Sequence, residues 1–391
     1  MDNSNSIFVW SDGWWLENDN AWFVSGVQNI LFCLDLNMYK CEYVMAVPSM
    51  KATKNRCNPL CIKLGNDIYC MPDKGRSVWI YNVDNCKLRE LEINNPNDVR
   101  LQVYGFWDYD NRIYAVSYGL KKIIEIDISR KKILNYYNLD GEGVIADSIK
   151  IKNRIYILYE SGRVCTFDMK TREDELFTLP NIERKLYKFC FDVDRFWITG
   201  YRNEIYIWYK EKNTLSVLDS FPEDFGIYNF LDSEVDKAGN NYQVFEYTVT
   251  AGHRVWFIPY NANEIIYADK ERQELHAFRI EEEIETEKSL LENEMGEKYR
   301  LEYVKGERYI GLFSFKNNRV LEIDAKELKY KWCDYYFSDE CIKKCADILG
   351  NLYHEKVVFE RLIHSRISQI KCKDMVESED TIGKKIYSEI L

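Results

Sequence analysis

One pattern recurs seven times along this 391-residue chain, and no other feature restricts its possible folds as strongly. In each copy, a turn of polar or glycine residues precedes an apolar-aromatic pair, as in Asp110-Asn111-Arg112-Ile113-Tyr114. The equivalent first apolar residues are Trp22, Ile68, Ile113, Ile155, Phe196, Val255 and Tyr309, with successive spacings of 46, 45, 42, 41, 59 and 54 residues. A period of this length predicts one repeat architecture rather than several unrelated domains.

Residues 101–139 show what a single repeat contains. They form four short runs rich in β-branched and aromatic residues, 101–107, 112–117, 122–127 and 133–138, separated by turn residues. This pattern is typical of a small antiparallel meander. Because a sheet this small cannot bury both of its faces alone, it needs copies of itself on either side.

A second marker follows the first by about ten residues in every copy. It is an alternating apolar strand that ends on an acidic or polar residue before a turn, as in IIEIDI from Ile123 and VLEIDA from Val320. The two markers stay in phase. They predict seven four-stranded blades closed into a ring, an arrangement that leaves no long exposed sheet edge.

The fold class predicted is therefore all-β, a seven-bladed β-propeller over residues 6–337, with a C-terminal α-helical tail over residues 338–391. Blade one is assigned to residues 6–48 and blade seven to residues 299–337, so the ring closes without a strand from the other end of the chain. In an alternative closure, residues 6–10 pair with blade seven as a clasp.

The two long spacings indicate insertions between the fourth strand of one blade and the first strand of the next. The first covers about residues 220–240 and is predicted to form an ordered loop or lid. The second, about residues 281–296, carries seven glutamates and apolar residues at near-helical spacing, which predicts a short acidic helix.

In the tail, Ser338 and Asp339 are predicted to cap a helix over residues 339–349, with Gly350 as its stop. The tail either packs back on the ring or projects towards a partner.

The recurring strand-Asp-turn-strand unit, as in residues 126–133 and 167–172, resembles the blades of WD40-like, YVTN and quinoprotein-type propellers. The resemblance covers residues 6–337 and implies the fold alone, since propellers host binding scaffolds and enzymes alike. The Trp-Asp dipeptide of WD40 blades, the Gly-Gly pair of kelch repeats and the quinoprotein blade motif are all missing. No cofactor and no catalytic residue is carried over from these families.

The composition of the chain limits its possible binding partners and its cellular compartment. A formal net charge of −11 argues against nucleic acid, whose phosphates need a basic face. No apolar run has the length of a membrane span, and the start of the chain lacks the features of a secretory signal. The twelve cysteines show no disulfide framework and are interpreted as reduced, buried thiols, which favours a cytoplasmic protein.

The candidate ligand site lies on the face where the loops between second and third strands gather around the central channel. Arginine forks and aromatic rings recur there, and such groups hold carboxylates, phosphates and sugar rings. Both insertions emerge on the same face. The predicted ligand-binding residues are Arg76, Tyr118, Lys121, Tyr159, Arg163, Tyr201, Arg202, Tyr260 and Lys316. An alternative interpretation is that turns need polar residues and that this chain is rich in Lys and Tyr throughout.

Little in the sequence indicates catalysis. The four histidines form no metal triad by spacing, and the closest thiol groupings lack the Cys-x-x-Cys spacing of zinc sites. We therefore predict no metal and no catalytic residue, and a non-enzymatic recognition or scaffolding protein. It would bind a protein partner, in one arrangement through tail residues 338–391, or an anionic or glycan-like ligand on the loop face. The alternative is a carbohydrate-active enzyme, a glycoside hydrolase or lyase, with carboxylates lining the channel.

Overall fold

The structure is a computed structural model, and it describes residues 11, 13–25, 29–48, 58–139, 141–201, 203–223, 225, 244–260, 262–284, 298–314, 317 and 319–349. Within these residues the chain forms the seven-bladed β-propeller that the repeats predict, followed by one α-helix. No helix in these ranges is long and apolar enough to cross a membrane.

Each blade is an antiparallel sheet of four strands that follow one another in the chain. Blade one contains β1 Trp15–Glu17, β2 Asn20–Val24, β3 Ile30–Asp35 and β4 Lys40–Ala46; blade two, β5 Leu60–Leu64, β6 Asp67–Met71, β7 Ser77–Asn82 and β8 Lys87–Glu92. Blade three contains β9 Val103–Tyr109, β10 Arg112–Ser117, β11 Lys122–Asp127 and β12 Lys132–Asn138; blade four, β13 Ile145–Ile151, β14 Arg154–Tyr159, β15 Arg163–Asp168 and β16 Asp174–Thr178. Blade five contains β17 Leu186–Asp192, β18 Arg195–Gly200, β19 Ile205–Tyr209 and β20 Thr214–Leu218; blade six, β21 Phe245–Ala251, β22 Arg254–Pro259, β23 Ile265–Asp269 and β24 Leu275–Phe278. Blade seven contains β25 Tyr299–Lys305, β26 Tyr309–Ser314, β27 Arg319–Asp324 and β28 Lys329–Cys333.

The hydrophobic core is divided among the junctions between neighbouring blades. Ile62 and Tyr69 of blade two, for example, are buried against Ile113 and Ile124 of blade three. The first strands of successive blades contact one another around the ring, so they are the innermost strands and surround the central channel. Burial of apolar side chains between blades is the main stabilising contribution to this architecture.

The turn between the third and fourth strands explains the second sequence marker. Asp168 ends β15, and its Oδ1 accepts hydrogen bonds from the backbone N–H groups of Lys170 (2.8 Å) and Thr171 (3.2 Å). Asp269 and Asp324 close the same turn in blades six and seven. The last turn residue has a positive φ in all seven blades: Tyr39, Cys86, Lys131, Arg172, Asn213, Gln273 and Leu328. The recurring aspartate therefore marks a carboxylate that satisfies the backbone of a tight turn.

Ring closure requires one correction to the sequence prediction. A short strand after blade seven, β29 Tyr336–Phe337, pairs in parallel with the outer strand β4 of blade one. A strand from the far end of the chain thus extends the sheet of blade one. On the inner side, the backbone N–H of Trp14 donates to the carbonyl of Glu302 (2.7 Å), and its ring stacks on Tyr303 at 5.2 Å. Residues 6–10, the alternative clasp, lie outside the described residues.

Helix α1, Asp339–Leu349, confirms the predicted helix after the propeller. The Ser338 hydroxyl accepts a hydrogen bond from the backbone N–H of Cys341 (3.2 Å), so Ser338 is the N-cap, as predicted. The helix packs on β4, and Cys341 and Cys345 are buried next to Cys41 of that strand. The beginning of the tail therefore covers the outer edge of blade one. Gly350 and the remainder of the tail lie outside the described ranges.

The two predicted insertions are described only at their stems. Phe221 and Phe225 stack on each other at 4.9 Å and on Phe245 of blade six at 6.1 and 6.0 Å. The second insertion starts with a 3-10 turn, Glu281–Glu283, in which Glu283 is buried and accepts a hydrogen bond from Ser314. The predicted lid and acidic helix otherwise fall outside the described residues.

Candidate functional site

A regular backbone irregularity occurs at the loop-face end of the innermost strands. In blades three to six, a register shift leaves the second residue of the first strand without a partner in the second strand. The residues are Tyr104, Ala146, Tyr187 and Glu246. A bulge of this kind increases the local twist and redirects side chains, and such bulges are common next to functional sites.

Side chains from these bulges and from the ends of the second strands form a connected group, the channel-mouth cluster. We define it as Tyr104, Tyr118, Asp147, Glu160, Tyr187, Lys188, Tyr201 and Glu246. Its bonds cross from one blade to the next: Tyr118 to Ser148 of blade four (2.9 Å), and Tyr187 to Glu246 of blade six (3.3 Å). Four blades thus contribute to one polar and aromatic surface.

Two edge-to-face tyrosine pairs form the aromatic part of the cluster. The rings of Tyr104 and Tyr118 lie 5.4 Å apart at 85°, and those of Tyr187 and Tyr201 lie 5.7 Å apart at 78°. All four side chains are half-buried. Each tyrosine combines an apolar ring with a hydroxyl that can bond a ligand.

Asp147 and Lys188 form the charged centre of the cluster. Lys188 Nζ lies 3.5 Å from Asp147 Oδ1, and Asp147 Oδ2 accepts a hydrogen bond from the backbone N–H of Phe189 at 3.2 Å. Burial raises the pKa of the Asp147 carboxyl, while Lys188 opposes that rise. Burial by itself would lower the pKa of Lys188, but Asp147, Tyr118 and Glu246 outweigh it, so this pKa is raised. Lys188 therefore stays protonated among several acceptors.

Glu160 and Tyr201 extend the cluster towards the rim. The Tyr201 hydroxyl lies 3.5 Å from Glu160, and Lys185 pairs with the same carboxylate at 2.9 Å. Burial and the nearby Glu160 raise the pKa of Tyr201 to about 12, so its hydroxyl remains a donor at neutral pH. The acids and the lysines of this region are thus nearly balanced in charge.

The structure places the predicted site residues in different environments. Tyr118 and Tyr201 belong to the channel-mouth cluster, whereas Tyr159 is fully buried in the core between blades three and four. Register explains the difference, because Tyr118, Glu160, Tyr201 and Tyr260 each directly follow a second strand, while Tyr159 is the last residue of one. A position-by-position alignment of the seven repeats would have selected Glu160 instead of Tyr159.

Two of the predicted basic residues on the loop face, Arg76 and Arg163, are paired with acids. Arg76 pairs with Asp98 at 2.9 Å, and Arg163 pairs with Glu142 at 3.3 Å. Lys121 is exposed in a left-handed backbone conformation, with φ of 51°. Tyr260 follows β22, and its backbone N–H bonds the carbonyl of Val244 at 2.7 Å. Arg202 and Lys316 lie outside the described residues.

Sequence reasoning missed the residues contributed by the bulged strands. Asp147, Tyr187, Lys188 and Glu246 all lie in first strands, whose apolar-polar alternation carries no sign of a bulge. Across the described ranges, no three His, Cys, Asp or Glu side chains are grouped so that they could hold a metal ion. The site is therefore defined by aromatic and hydrogen-bonding groups.

The arrangement combines apolar ring faces with hydroxyl, carboxylate and ammonium groups within a small area. Rings of this kind stack on the apolar face of a sugar, while the polar groups bond its hydroxyls. The near balance of charge makes the cluster better suited to a neutral polyol than to an anion. Groups of this kind are able to contact a polar ring-shaped molecule.

The class of protein is a seven-bladed β-propeller, and comparisons with known proteins agree at the level of the fold. No family model and no curated protein sequence matches the chain. Selenomethionine-substituted virginiamycin B lyase from Staphylococcus aureus is similar in structure, with a TM-score of 0.56 and 13% identity over 80% of this chain and 94% of that chain. A streptogramin B lyase structure matches with a TM-score of 0.53 and 13% identity, over 84% of this chain and 97% of that one.

The computationally designed protein Ika8 is also similar, with a TM-score of 0.53 and 9% identity over 85% of this chain and 87% of its own. At these identities the likeness shows a shared fold alone. The resemblance to propeller families stated from the sequence is confirmed at that level.

Proposed function

We propose that this protein is a recognition propeller whose channel-mouth cluster binds a glycan or a similar neutral polyol. The observation that carries the proposal is the assembly of two edge-to-face tyrosine pairs around the Asp147–Lys188 pair, with side chains from three blades. The propeller fold supports a binding or scaffolding role in general terms. The pairing of Arg76 and Arg163 with acids favours a neutral ligand over an anionic one.

A direct binding experiment tests this proposal. The full chain is screened against a panel of neutral oligosaccharides by saturation-transfer NMR, and hits are measured by calorimetry. Tyr201→Ala is expected to weaken binding by about tenfold, because removing an aromatic ring that stacks on a ligand costs about 1–3 kcal/mol of binding free energy. Lys188→Met removes a central donor and is expected to have a similar effect.

Tyr336→Ala is the matched control, because Tyr336 is an exposed tyrosine at the outer edge of blade one, far from the cluster in the fold. Its affinity is expected to equal that of the unaltered protein. Failure of every oligosaccharide in the panel to bind would contradict the proposal, as would unchanged affinity in the Tyr201 variant.

A second candidate function, a carbohydrate-active enzyme, is supported by one observation. Asp147 combines a pKa raised by burial with a position beside Tyr118 and Lys188, as a proton donor to a glycosidic oxygen would require. If so, the protein cleaves a bound oligosaccharide, and Asp147→Asn abolishes cleavage while binding persists. New chain ends measured by chromatography after incubation distinguish this candidate from binding alone.

We also infer a protein partner for the C-terminal tail and a cytoplasmic location. The free state of the ten cysteines in the described ranges supports a reducing compartment. Since residues 339–349 pack on blade one, a partner would bind residues 350–391. Affinity capture with the full chain and with a chain ending at Leu349 tests this inference, and identical partners in both captures would contradict it.

A further inference from the structure

A cavity lies at the junction of blades seven and one, on the face opposite the channel-mouth cluster. Its volume is about 470 Å³, and its lining includes Tyr39, Tyr303, Lys305, Tyr309, Glu322 and Lys329. Tyr39 belongs to the turn between the third and fourth strands of blade one, and the other five belong to the strands of blade seven. This volume falls within the usual range for small-molecule sites, which is about 300–1,000 Å³.

The equivalent region between blades three and four is occupied by side chains. Glu125 and Glu322 hold the same repeat position, two residues before the aspartate that closes the third-to-fourth-strand turn. The Glu125 carboxylate is fully buried and bonds Arg112 at 2.6 Å, Arg172 at 3.2 Å and Tyr114 at 3.2 Å. Those three side chains surround the carboxylate.

Three replacements open the cavity at the junction of blades seven and one. The strand register shifts the sequence alignment of blade seven by one residue, since Ile310, and not Tyr309, is equivalent to Ile113. Tyr309 stands at the position of Arg112, and Gly311 at that of Tyr114. Tyr39 stands at the position of Arg172, at the positive-φ end of the same turn. The ring of Tyr303 covers Gly311, where an added Cβ would come within 2.1 Å of that ring. The two guanidinium groups that bind Glu125 thus have tyrosines in their places here.

The charges that remain determine what the cavity can bind. Glu322 accepts a hydrogen bond from Tyr303 at 2.6 Å and pairs with Lys331 at 2.9 Å. Asp324 is held by Arg308 and by two backbone N–H groups of its turn. Both acids are thus compensated. In the part of the chain that the structure describes, neither Lys305 nor Lys329 pairs with an acid, so the uncompensated charge is positive.

We propose that this cavity binds a small phosphate monoester carried on a ring, such as a sugar phosphate or a nucleoside monophosphate. Lys305 and Lys329 supply the ammonium groups for the phosphate, and the rings of Tyr39 and Tyr309 contact the ring of the ligand. Lys331 stays on Glu322 and holds the wall of the cavity. The site is separate from the proposed glycan site and does not depend on it.

Calorimetry with the full chain tests the proposal, with glucose 6-phosphate and adenosine monophosphate as probes. Glucose and adenosine are the matched compounds that lack the phosphate group, and inorganic phosphate is the one that lacks the ring. At least one monoester is expected to bind more tightly than its unphosphorylated counterpart and than phosphate. Binding is also expected to weaken with rising salt, because it depends on partly exposed lysines.

Lys329→Ala is expected to weaken monoester binding by about tenfold, since it removes a charge-assisted bond. Lys132→Ala is the matched control, because Lys132 holds the same position in blade three and should leave affinity unchanged. Tyr39→Ala is expected to weaken monoester binding as well, because it removes a ring that contacts the ring of the ligand. No binding by either monoester, equal binding of the unphosphorylated compounds, or equal effects of Lys329→Ala and Lys132→Ala would each overturn the proposal.

Discussion

The junction between blades three and four and the junction between blades seven and one place a glutamate at the same point of the repeat, yet they differ inside. Glu125 is fully buried beneath two arginines, whereas the side chain of Glu322 is 13% exposed and borders a cavity of about 470 Å³. The backbone register is the same at both places. A repeat therefore fixes where a carboxylate lies, and the neighbouring blade decides whether that carboxylate fills the core or borders a site.

The number of hydrogen-bond donors separates the two glutamates. Glu125 receives bonds from five side chains: Arg112, Tyr114, Asn135, Tyr137 and Arg172. Glu322 receives bonds from Tyr303 and Lys331. A buried carboxylate is tolerated when its lone pairs are satisfied. Because all five donors bond the same carboxylate, Glu125 holds its network together. The second network leaves room for a further group.

The largest difference between the junctions is expected when each glutamate loses its charge. Glu125→Gln leaves two arginine side chains facing a neutral amide in a buried setting, and should lower the free energy of unfolding by about 3 kcal/mol. Glu322→Gln should lower it by about 1 kcal/mol, because its charged partner Lys331 is exposed to solvent. Urea denaturation followed by tryptophan fluorescence measures both values.

If the Glu125 network is structural and the Glu322 network is open, the two substitutions must lower the free energy of unfolding by unequal amounts. Thr166 occupies the equivalent repeat position in blade four, two residues before Asp168, so Thr166→Val provides the matched control for altering this position in a blade without the network. The control should change the free energy of unfolding by about 1 kcal/mol or less. Equal losses for the Glu125 and Glu322 variants would contradict the assignment of one network as structural and the other as open.

An exchange of the residues at the end of the third-to-fourth-strand turn is expected to have an intermediate effect. Arg172→Tyr gives blade four the residue of blade one and removes one charged hydrogen bond from Glu125. We expect a loss of about 1.5 kcal/mol, at the low end for such bonds because the Arg172 side chain is 36% exposed. Tyr39→Arg should change stability by only about 0.5 kcal/mol, since Lys331 already neutralises Glu322.

Thermal unfolding of the two exchanged variants tests this expectation. Both residues have positive φ, 64° for Arg172 and 52° for Tyr39, so the backbone demands on the two substitutions are matched. A loss in Tyr39→Arg as large as that in Arg172→Tyr would mean that the turn, and not the bond to Glu125, determines the effect.

Much of the fold was predictable because its markers report local backbone requirements. Aspartate recurs at the end of the third strand since its carboxylate bonds the backbone N–H groups of the turn that follows, as at Asp269. The helix after blade seven was predictable for a similar reason, since Ser338 caps it. The parallel pairing of β29 with β4 was not, because two residues carry no pattern that specifies a distant partner.

The candidate sites were less predictable because they depend on contacts between blades. Tyr118 and Tyr201 were found since they lie in loops, whereas Asp147 and Lys188 lie in strands and meet only when blades four and five are adjacent. The cavity at blade seven depends on Gly311, whose missing side chain is replaced by the ring of Tyr303 from the neighbouring strand. Such an exchange between strands leaves no signal in a linear sequence.

The smallest expected difference between the junctions concerns acid stability. Arg308 bonds Asp324, and together with the backbone N–H groups of the turn it lowers the pKa of that carboxyl to about 2. Because the folded-state pKa is depressed, this contribution is fully present above pH of about 4, the ordinary pKa of aspartate, and is lost as the pH falls towards 2. Both side chains are partly exposed, so solvent screens the pair and the contribution should be small.

Arg308→Ala is therefore expected to make the fall in melting temperature between about pH 4 and pH 2 shallower, while slightly lowering stability at neutral pH. Blade three offers the matched control, because Asn111 stands where blade seven has Arg308, and its side chain bonds Ser129 instead of the turn aspartate. Asn111→Ala should leave the acid slope unchanged. If both variants alter the slope equally, the acid response comes from the turns in general, and the Arg308–Asp324 pair does not distinguish blade seven from blade three.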